Sequence, residues 1–460
     1  MTTDVHLLVL VHGMWGNPGH LTEMGRKIRG TWLDMKDSFP GEFCVLLANT
    51  NADDYTYDGV DHGGERVAEE VFEEVEKLKQ RGLIVTKFSV TGYSLGGLVS
   101  RYLIGVLHQR KFFENVTPVN FNTFATPHIG LLRYPNFFSA IANSLGPRLL
   151  SRTGEQFFAV DKWSPSGRPL LAVMADPDRV FYQALELFPH KTIYANAIND
   201  LTVPYVTAAI EAEDPFLNHA INGIDIIFHE DYPNVIKSWD FPTDASLPRH
   251  YTPREAVPFL PIRFPYNLIV YLSLPILVPT VLGIVYARVL KQGRESRKRV
   301  EEIEKGDSYS SKLIHAVAEL ERQMEDQVTE FIDTQTGPVS QEKPSKEKEE
   351  DKWHSSRAPS PDPSSETLSI TETDSKAEGR WNSKYHSRKK PQPKMDTPAL
   401  LDVQREMIER LNKLTGLKKE RAFYDDTRNS HASIVCRGDR GFNPDDVDSS
   451  LRHWADRFVF

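Results

Sequence analysis

The sequence predicts an α/β fold, a mostly parallel sheet with helices on both faces. Three observations predict it. From the N-terminus onward, short β-branched apolar runs alternate with stretches of helical periodicity, and right-handed crossovers turn that alternation into a parallel sheet. The first run, residues 6–11 (HLLVLV), is apolar at successive positions, as in a strand covered on both faces. Gly92-Tyr93-Ser94-Leu95-Gly96 then stands between a strand-like and a helix-like segment, where a tight strand-to-helix turn needs small residues around it.

Composition narrows the class. The 460 residues carry a net charge of −9, too acidic for a general nucleic-acid binder. The length suits one large domain with extra segments. Cys44 and Cys436 lie near opposite ends, which argues against a disulfide framework and for a reducing, cytosol-facing location.

Residues 6–11 have no basic region before them and read as a buried strand, not a signal peptide. They lead into the turn His12-Gly13-Met14-Trp15-Gly16-Asn17. Residues 43–50 are the second strand. Asp61 offers a cap for a helix reaching Arg81, with Val67, Val71, Val75 and Leu78 as its apolar stripe. Residues 85–91 form the strand before Ser94, and 95–107 the helix after it. Residues 118–126 are the next strand, followed by His128, expected to be a loop histidine bonded to backbone. The irregular, aromatic-rich stretch 131–190 is expected to form a cap over the site. Residues 191–197 resume strand character and deliver Asp200.

The glycine-flanked serine is a nucleophile elbow, with Ser94 held on a strained turn. Acyl chemistry at a serine needs two N–H groups for the oxyanion, one from a loop after an early strand and one from the residue following the nucleophile. Met14 and Leu95 fill those positions, and Gly13, Gly92 and Gly96 allow the close backbone approach. Asp200, at the carboxyl end of a late strand, is placed to orient a histidine. Fifteen histidines compete for the base. His431 is favoured because the order serine, acid, histidine suits this sheet; His219, His229 and His250 also follow Asp200 and spacing leaves them open.

Beyond Asp200 the catalytic portion is interrupted. Residues 264–287 contain no charge and are long enough to cross a bilayer, and Arg288, Lys291, Arg294, Arg297, Lys298 and Arg299 follow them. A single crossing would separate Ser94 and Asp200 from His431, although base and nucleophile must approach to about 3 Å. Pro275 and Pro279 invite a bend into two arms of about 11 residues, each about 16 Å long, which suits a hairpin or lid in one leaflet with the basic cluster at anionic headgroups. A true span and a helix buried in the cap are the other readings. Residues 294–332, with Leu313, Val317, Leu320 and Met324 on one face, read as a surface helix. The stretch 334–397 is rich in Ser, Pro, Lys and Glu and reads as disordered.

The C-terminal part resumes with a helix opened by Asp396-Thr397-Pro398, whose Leu400, Val403, Met407, Leu411 and Leu414 share a face. Residues 420–425 are expected as the final edge strand, with His431 after it and a terminal helix around 451–458. The organisation is thus 1–260 first part of the catalytic core, 261–292 hydrophobic hairpin or lid, 293–333 charged helix, 334–396 linker and 397–460 last part of the core. No metal-ligand cluster, phosphate-cradling loop or internal repeat is recognised.

The blocks LVHGMWGNPGHL (10–21), TGYSLGGLVSRY (91–102), NTFATPHIG (122–130), NDLTVPY (199–205) and NSHASIVCR (429–437) resemble the fungal "putative serine esterases" of the α/β-hydrolase superfamily, and within it the lipid-droplet phospholipase group. The resemblance implies Ser94 as nucleophile, Asp200 as acid, His431 as base and the 12–14 turn as part of the oxyanion hole. It implies hydrolysis of acyl esters in glycerolipids, foremost glycerophospholipids, without metal or cofactor. It also implies a cytosol-facing place on the lipid-droplet monolayer or the endoplasmic reticulum membrane, held through 264–287. Monoacylglycerol lipase, general lipid esterase, acyltransferase and a non-catalytic droplet scaffold are the alternatives.

Overall fold

The computed structural model describes residues 2–134, 144–241, 266–305, 399–427, 429–437 and 449–460. Eight strands among them form one sheet: β1 (Thr3–Val11), β2 (Glu42–Leu47), β3 (Leu83–Tyr93), β4 (Thr117–Phe124), β5 (His190–Asn196), β6 (Asp225–Phe228), β7 (Val235–Asp240) and β8 (Leu417–Ala422). Their order is β2-β1-β3-β4-β5-β8-β7-β6. The pairs from β2 through to β8 are parallel, while β6 and β7 form an antiparallel hairpin joined to β8.

The unbroken apolar run of β1 has the origin expected of it. Side chains alternate across a strand. Leu7, Val9 and Val11 enter one core and Leu8 and Leu10 the other, all buried. Helices α1 (Thr22–Met35), α2 (Val60–Gln80) and α3 (Leu95–Gln109) open the two layers. Met24, Ile28 and Trp32 of α1 pack on the Leu8 side, whereas Val67 and Val71 of α2 and Leu98 and Leu103 of α3 pack on the Leu7 side. The chain thus has the α/β architecture expected, a mostly parallel sheet between two helical layers.

Four local expectations are corrected. Asp61 does not cap α2. Gly59, at φ +109°, takes the cap position, and Asp61 lies one residue inside the helix, accepting from Arg152 Nε at 3.0 Å, Gln156 Nε2 at 3.0 Å and Trp163 Nε1 at 3.1 Å. In the irregular stretch, α4 (Ser151–Phe157), α5 (Leu170–Met174) and α6 (Val180–Glu186) complete the helical layer and do not form a cap; Phe181 stacks on Tyr102 of α3 with ring centroids 4.8 Å apart. Residues 135–143 lie outside the described part. β8 is not an edge strand, because the β6–β7 hairpin, whose short strands carry little apolar periodicity, covers its far side.

The fourth correction concerns the apolar segment. One helix, α7 (Tyr266–Lys305), 40 residues long, runs through both prolines where a hairpin bend is expected. Each proline removes one i→i−4 bond, and the intact turns on either side carry the helix past it. A boundary between 292 and 293 therefore falls within an element. Residues 275–287 of α7 are apolar and exposed, with Ile276 at 76% and Leu282 and Ile284 similar, so this stretch is not buried in a cap. The second half is docked. Gln292 accepts from Tyr57 Oη at 2.9 Å, Arg299 pairs with Asp58 at 2.8 Å and Arg297 donates to the Arg148 carbonyl at 2.7 Å.

Helix α8 (Asp402–Leu411) begins after the expected opening; residues 396–398 lie outside the described part, and the Leu401 N–H donates to Gln404 Oε1 at 3.1 Å. Met407, Ile408 and Leu411 join the α2–α3 core. The last helix, α9 (Ser449–Asp456), packs Leu451 and Trp454 into the α1 core. The stripe Leu313, Val317, Leu320 and Met324, the linker 334–396 and His250 lie outside the described residues. A second unit, Thr329–Lys394, lies there too.

Candidate active site

Between the end of β3 and the start of α3 a single residue turns the chain, and that residue is Ser94. It has φ 55° and ψ −125°, a strained conformation for any side chain bearing a Cβ. The strain is held in place by the packing around it. Ser94 N donates to the Phe124 carbonyl at 2.8 Å, and its own carbonyl accepts from Gly97 N and Thr126 Oγ1, both at 3.0 Å. The glycines permit the approach. A Cβ on Gly96 would sit 2.1 Å from the Val11 carbonyl oxygen, and one on Gly92 would sit 2.4 Å from the Gly96 carbonyl oxygen. Ser94 is 6% exposed, so its hydroxyl meets whatever enters the site with little competing water.

His431 reaches Ser94 from the other end of the chain. It sits in the short helical turn Ser430–Ser433, whose cap Asn429 accepts from the His431 N–H at 3.2 Å. Its Nε2 lies 3.1 Å from Ser94 Oγ and its Nδ1 lies 2.9 Å from Asp200 Oδ2. Asp200 is fed by donors alone: Thr202 N at 2.9 Å and Val203 N at 2.8 Å on Oδ1, and Asn196 Nδ2 at 2.8 Å on Oδ2. A carboxylate so supplied accepts from His431 Nδ1–H as well, which leaves the Nε2 lone pair facing the serine.

The acid and base loops are stitched to each other. Ser430 N donates to the Asn199 carbonyl at 2.9 Å, Ser430 Oγ to the Ile198 carbonyl at 2.7 Å, and Asn199 Nδ2 to the Tyr424 carbonyl at 2.8 Å. Tyr93, beside Ser94, donates its hydroxyl to the His431 carbonyl at 3.0 Å and lays its ring 5.1 Å from the imidazole. Burial pushes the Tyr93 phenol well above its ordinary value, so it stays a donor.

The expected oxyanion donors, Met14 and Leu95, lie on two segments that meet at Ser94. Leu95 is the first residue of α3, so its N–H has no intrahelical acceptor. The Gly13 turn, closed by Gly16 N to the Gly13 carbonyl at 3.0 Å, packs directly on the serine; a Cβ on Gly13 would lie 2.8 Å from Ser94 Cβ. Met14 is the next residue. Trp15 follows at φ 53°, with its N–H on Thr56 Oγ1 at 3.1 Å and its indole N–H on Tyr57 Oη at 2.7 Å.

The structure thus brings Ser94, His431 and Asp200 together, with Gly13, Met14, Gly92, Leu95 and Gly96 around them. His219 and His229 are elsewhere, the first with its ring 5.4 Å from Phe423 and the second beside His453. His128 is buried and bonds through its ring to Thr123 Oγ1 at 2.9 Å, a side-chain partner where backbone is expected. Sequence reading missed Asn196, Asn199, Tyr93 and Asn429. Their signal, asparagines and a tyrosine beside motif residues, is too common to single out.

Residues 1–212 match the family described as "Putative serine esterase (DUF676)". The chain is 31% identical over 219 residues to "Putative lipase C4A8.10" of Schizosaccharomyces pombe, covering 45% of this chain and 26% of that protein. It is 30% identical over 207 residues to "Putative lipase ROG1" of Saccharomyces cerevisiae, covering 45% and 28%. The matches therefore span little more than a quarter of these curated relatives. Among solved structures, the phospholipase PlaB of Legionella pneumophila aligns at 13% identity and a TM-score of 0.26, over 44% of this chain and 40% of that one.

Proposed function

We propose, from the premise that residues 1–212 belong to the serine esterase family they match, that the chain is a serine lipase that cleaves acyl esters of glycerolipids. The observation that carries the reading is the continuous Ser94, His431, Asp200 array at 3.1 and 2.9 Å, assembled from chain segments on both sides of α7. His431 Nε2 takes the Ser94 proton as Oγ attacks the ester carbonyl. The oxyanion accepts from the Met14 and Leu95 N–H groups, Asp200 stabilises the imidazolium, and the proton passes to the departing alcohol. Water then repeats the sequence on the acyl-serine and releases the fatty acid.

The finer reading is a phospholipase on the lipid-droplet monolayer, facing the cytosol, with the endoplasmic reticulum membrane as a second location. The apolar, exposed half of α7 supports it. So does the root of that helix, which the Trp15–Tyr57–Gln292 hydrogen bonds join to the loop beside Ser94. Trp15, 53% exposed, and Leu201, 76% exposed, flank the triad with further apolar surface. Because the triad closes across α7, both flanks of the helix belong on one aqueous face. A helix dipping into one leaflet meets that condition and a single bilayer crossing does not.

A fluorophosphonate probe, read by mass spectrometry, tests the chemistry. It should label wild type at Ser94 and leave Ser94→Ala unlabelled; absence of label on folded wild type would remove the assignment.

A further inference from the structure

Away from Ser94, three side chains from distant parts of the sequence converge beside the β6–β8 end of the sheet. His229 follows β6, Glu420 lies in β8 and His453 in α9. Their ligand-capable atoms all lie within 4.8 Å of one another. His453 is fully buried. Its Nδ1 is 3.0 Å from Tyr194 Oη, while its Nε2 has no hydrogen-bond partner among the described residues and faces Glu420 Oε2 at 4.0 Å. A buried ring nitrogen without a partner is unfavourable, so this one asks for an explanation.

The chemistry of the trio supplies one. Two imidazoles and one carboxylate suit zinc and its transition-metal neighbours, while calcium and magnesium prefer oxygen throughout. Tyr194 Oη accepting from Nδ1–H would fix the tautomer that turns the Nε2 lone pair towards Glu420, the role an outer partner plays at a metal-bound histidine. Tetrahedral ligands about 2.1 Å from zinc lie about 3.4 Å apart. From a longest separation of no more than 4.8 Å, the trio would close by up to about 1.4 Å, with His229, half-buried on the turn after β6, as the least buried end of the set with Glu420.

We propose that His229, Glu420 and His453 bind one zinc-class divalent cation, completed by water. Glu420 precedes His431 in the chain and His453 follows it. The metal would clamp β8 to α9 and the hairpin, holding both flanks of the segment that carries the base. This site stands apart from the Ser94 chemistry and does not depend on it.

The test uses the full chain, stripped with a chelator and dialysed against zinc chloride, with bound metal read by plasma mass spectrometry and melting followed with and without zinc. Wild type and Ser94→Ala should each retain about one zinc and melt higher with it. His229→Ala, which alters a half-buried turn residue, and Glu420→Gln should fold, lose about tenfold or more in zinc affinity and lose the zinc-dependent rise in melting temperature; Tyr194→Phe should weaken binding by about tenfold. Wild type that retains no stoichiometric zinc, or His229→Ala that binds and shifts like wild type, would overturn the proposal.

Discussion

At the scale of single residues, the site depends on hydrogen bonds that hold Asp200 and on backbone that only glycine can supply. Asn196 Nδ2 is the side-chain donor that shares Asp200 Oδ2 with His431. Losing a hydrogen bond to a charged group costs about 1.5–3 kcal/mol. Asn196→Ala should therefore lower kcat by about ten- to a hundredfold with KM nearly unchanged, measured by steady-state release from a soluble ester. Gly96→Ala would press a Cβ into the Val11 carbonyl. It should destabilise the fold by about 3 kcal/mol, read by denaturant melting, as overpacking a close-packed site does.

Much of this layer was legible in the sequence. Ser94 and its glycines announce themselves because the elbow is short-range: five consecutive residues must solve one steric problem. Asp200 is legible because it follows a late strand, and chain order favours a histidine beyond it, His431 among others. The sequence alone does not separate His431 from His219 or His229, because that distinction is made by which loops touch, and the Ser430–Asn199 contacts that bring His431 in are long-range. The His229, Glu420, His453 cluster is hidden for the same reason, its members showing no ligand spacing.

At the scale of elements, one buried carboxylate joins the catalytic layer to the irregular stretch. Asp61, inside α2, is bonded by Arg152 and Gln156 of α4 and by Trp163. Burial, the largest single influence, would raise its carboxyl, but the Arg152 charge, His62 and the hydrogen bonds from Arg152 and Gln156 together outweigh it and hold the group well below the ordinary value of 3.8. A depressed carboxylate binds its proton more readily in the unfolded chain. Its contribution is thus fully present above about pH 4 and drains away as the pH falls below that towards the folded value. Asp61→Asn should cost about 3 kcal/mol at neutral pH, because it leaves Arg152 without its partner. Its stability should also fall less steeply than that of wild type below pH 4, which chemical denaturation across pH would show.

Elements were less legible than residues where partners decided them. Residues 420–425 have the short, mixed composition of an edge strand, yet β8 is interior because a hairpin that the sequence barely marks covers it. Residues 181–188 carry an aromatic and apolar cluster that suits a cap, and Phe181 is taken up instead by packing on α3. The prolines of α7 suggest a bend by local chemistry alone, whereas a long helix survives the loss of two donors. In each case tertiary or cooperative stability overrode a local preference.

At the scale of the whole molecule, the chain places an α/β core and an exposed apolar helix on one polypeptide. About 60 Å of helix at 1.5 Å per residue holds its charged half against the core and its apolar half away from it. Ile276→Asp combined with Leu282→Asp alters only exposed positions. The pair should reduce sedimentation with phospholipid-coated droplets by at least about tenfold while hydrolysis of a soluble short-chain ester stays near wild type, since a charge in hydrocarbon costs several kcal/mol. Equal binding by the pair would show that α7 is not the membrane contact.

The central claim is that a base lying beyond the apolar helix serves a nucleophile lying before it. The measurement that bears on it most directly is fatty-acid release from phospholipid-coated droplets by wild type, His431→Ala and His250→Ala, each shown to be folded. Loss of activity in His431→Ala alone is the expected result, and it places both flanks of α7 on one face of the lipid. An active His431→Ala beside an inactive His250→Ala would contradict the account and return the helix to the role of a simple anchor.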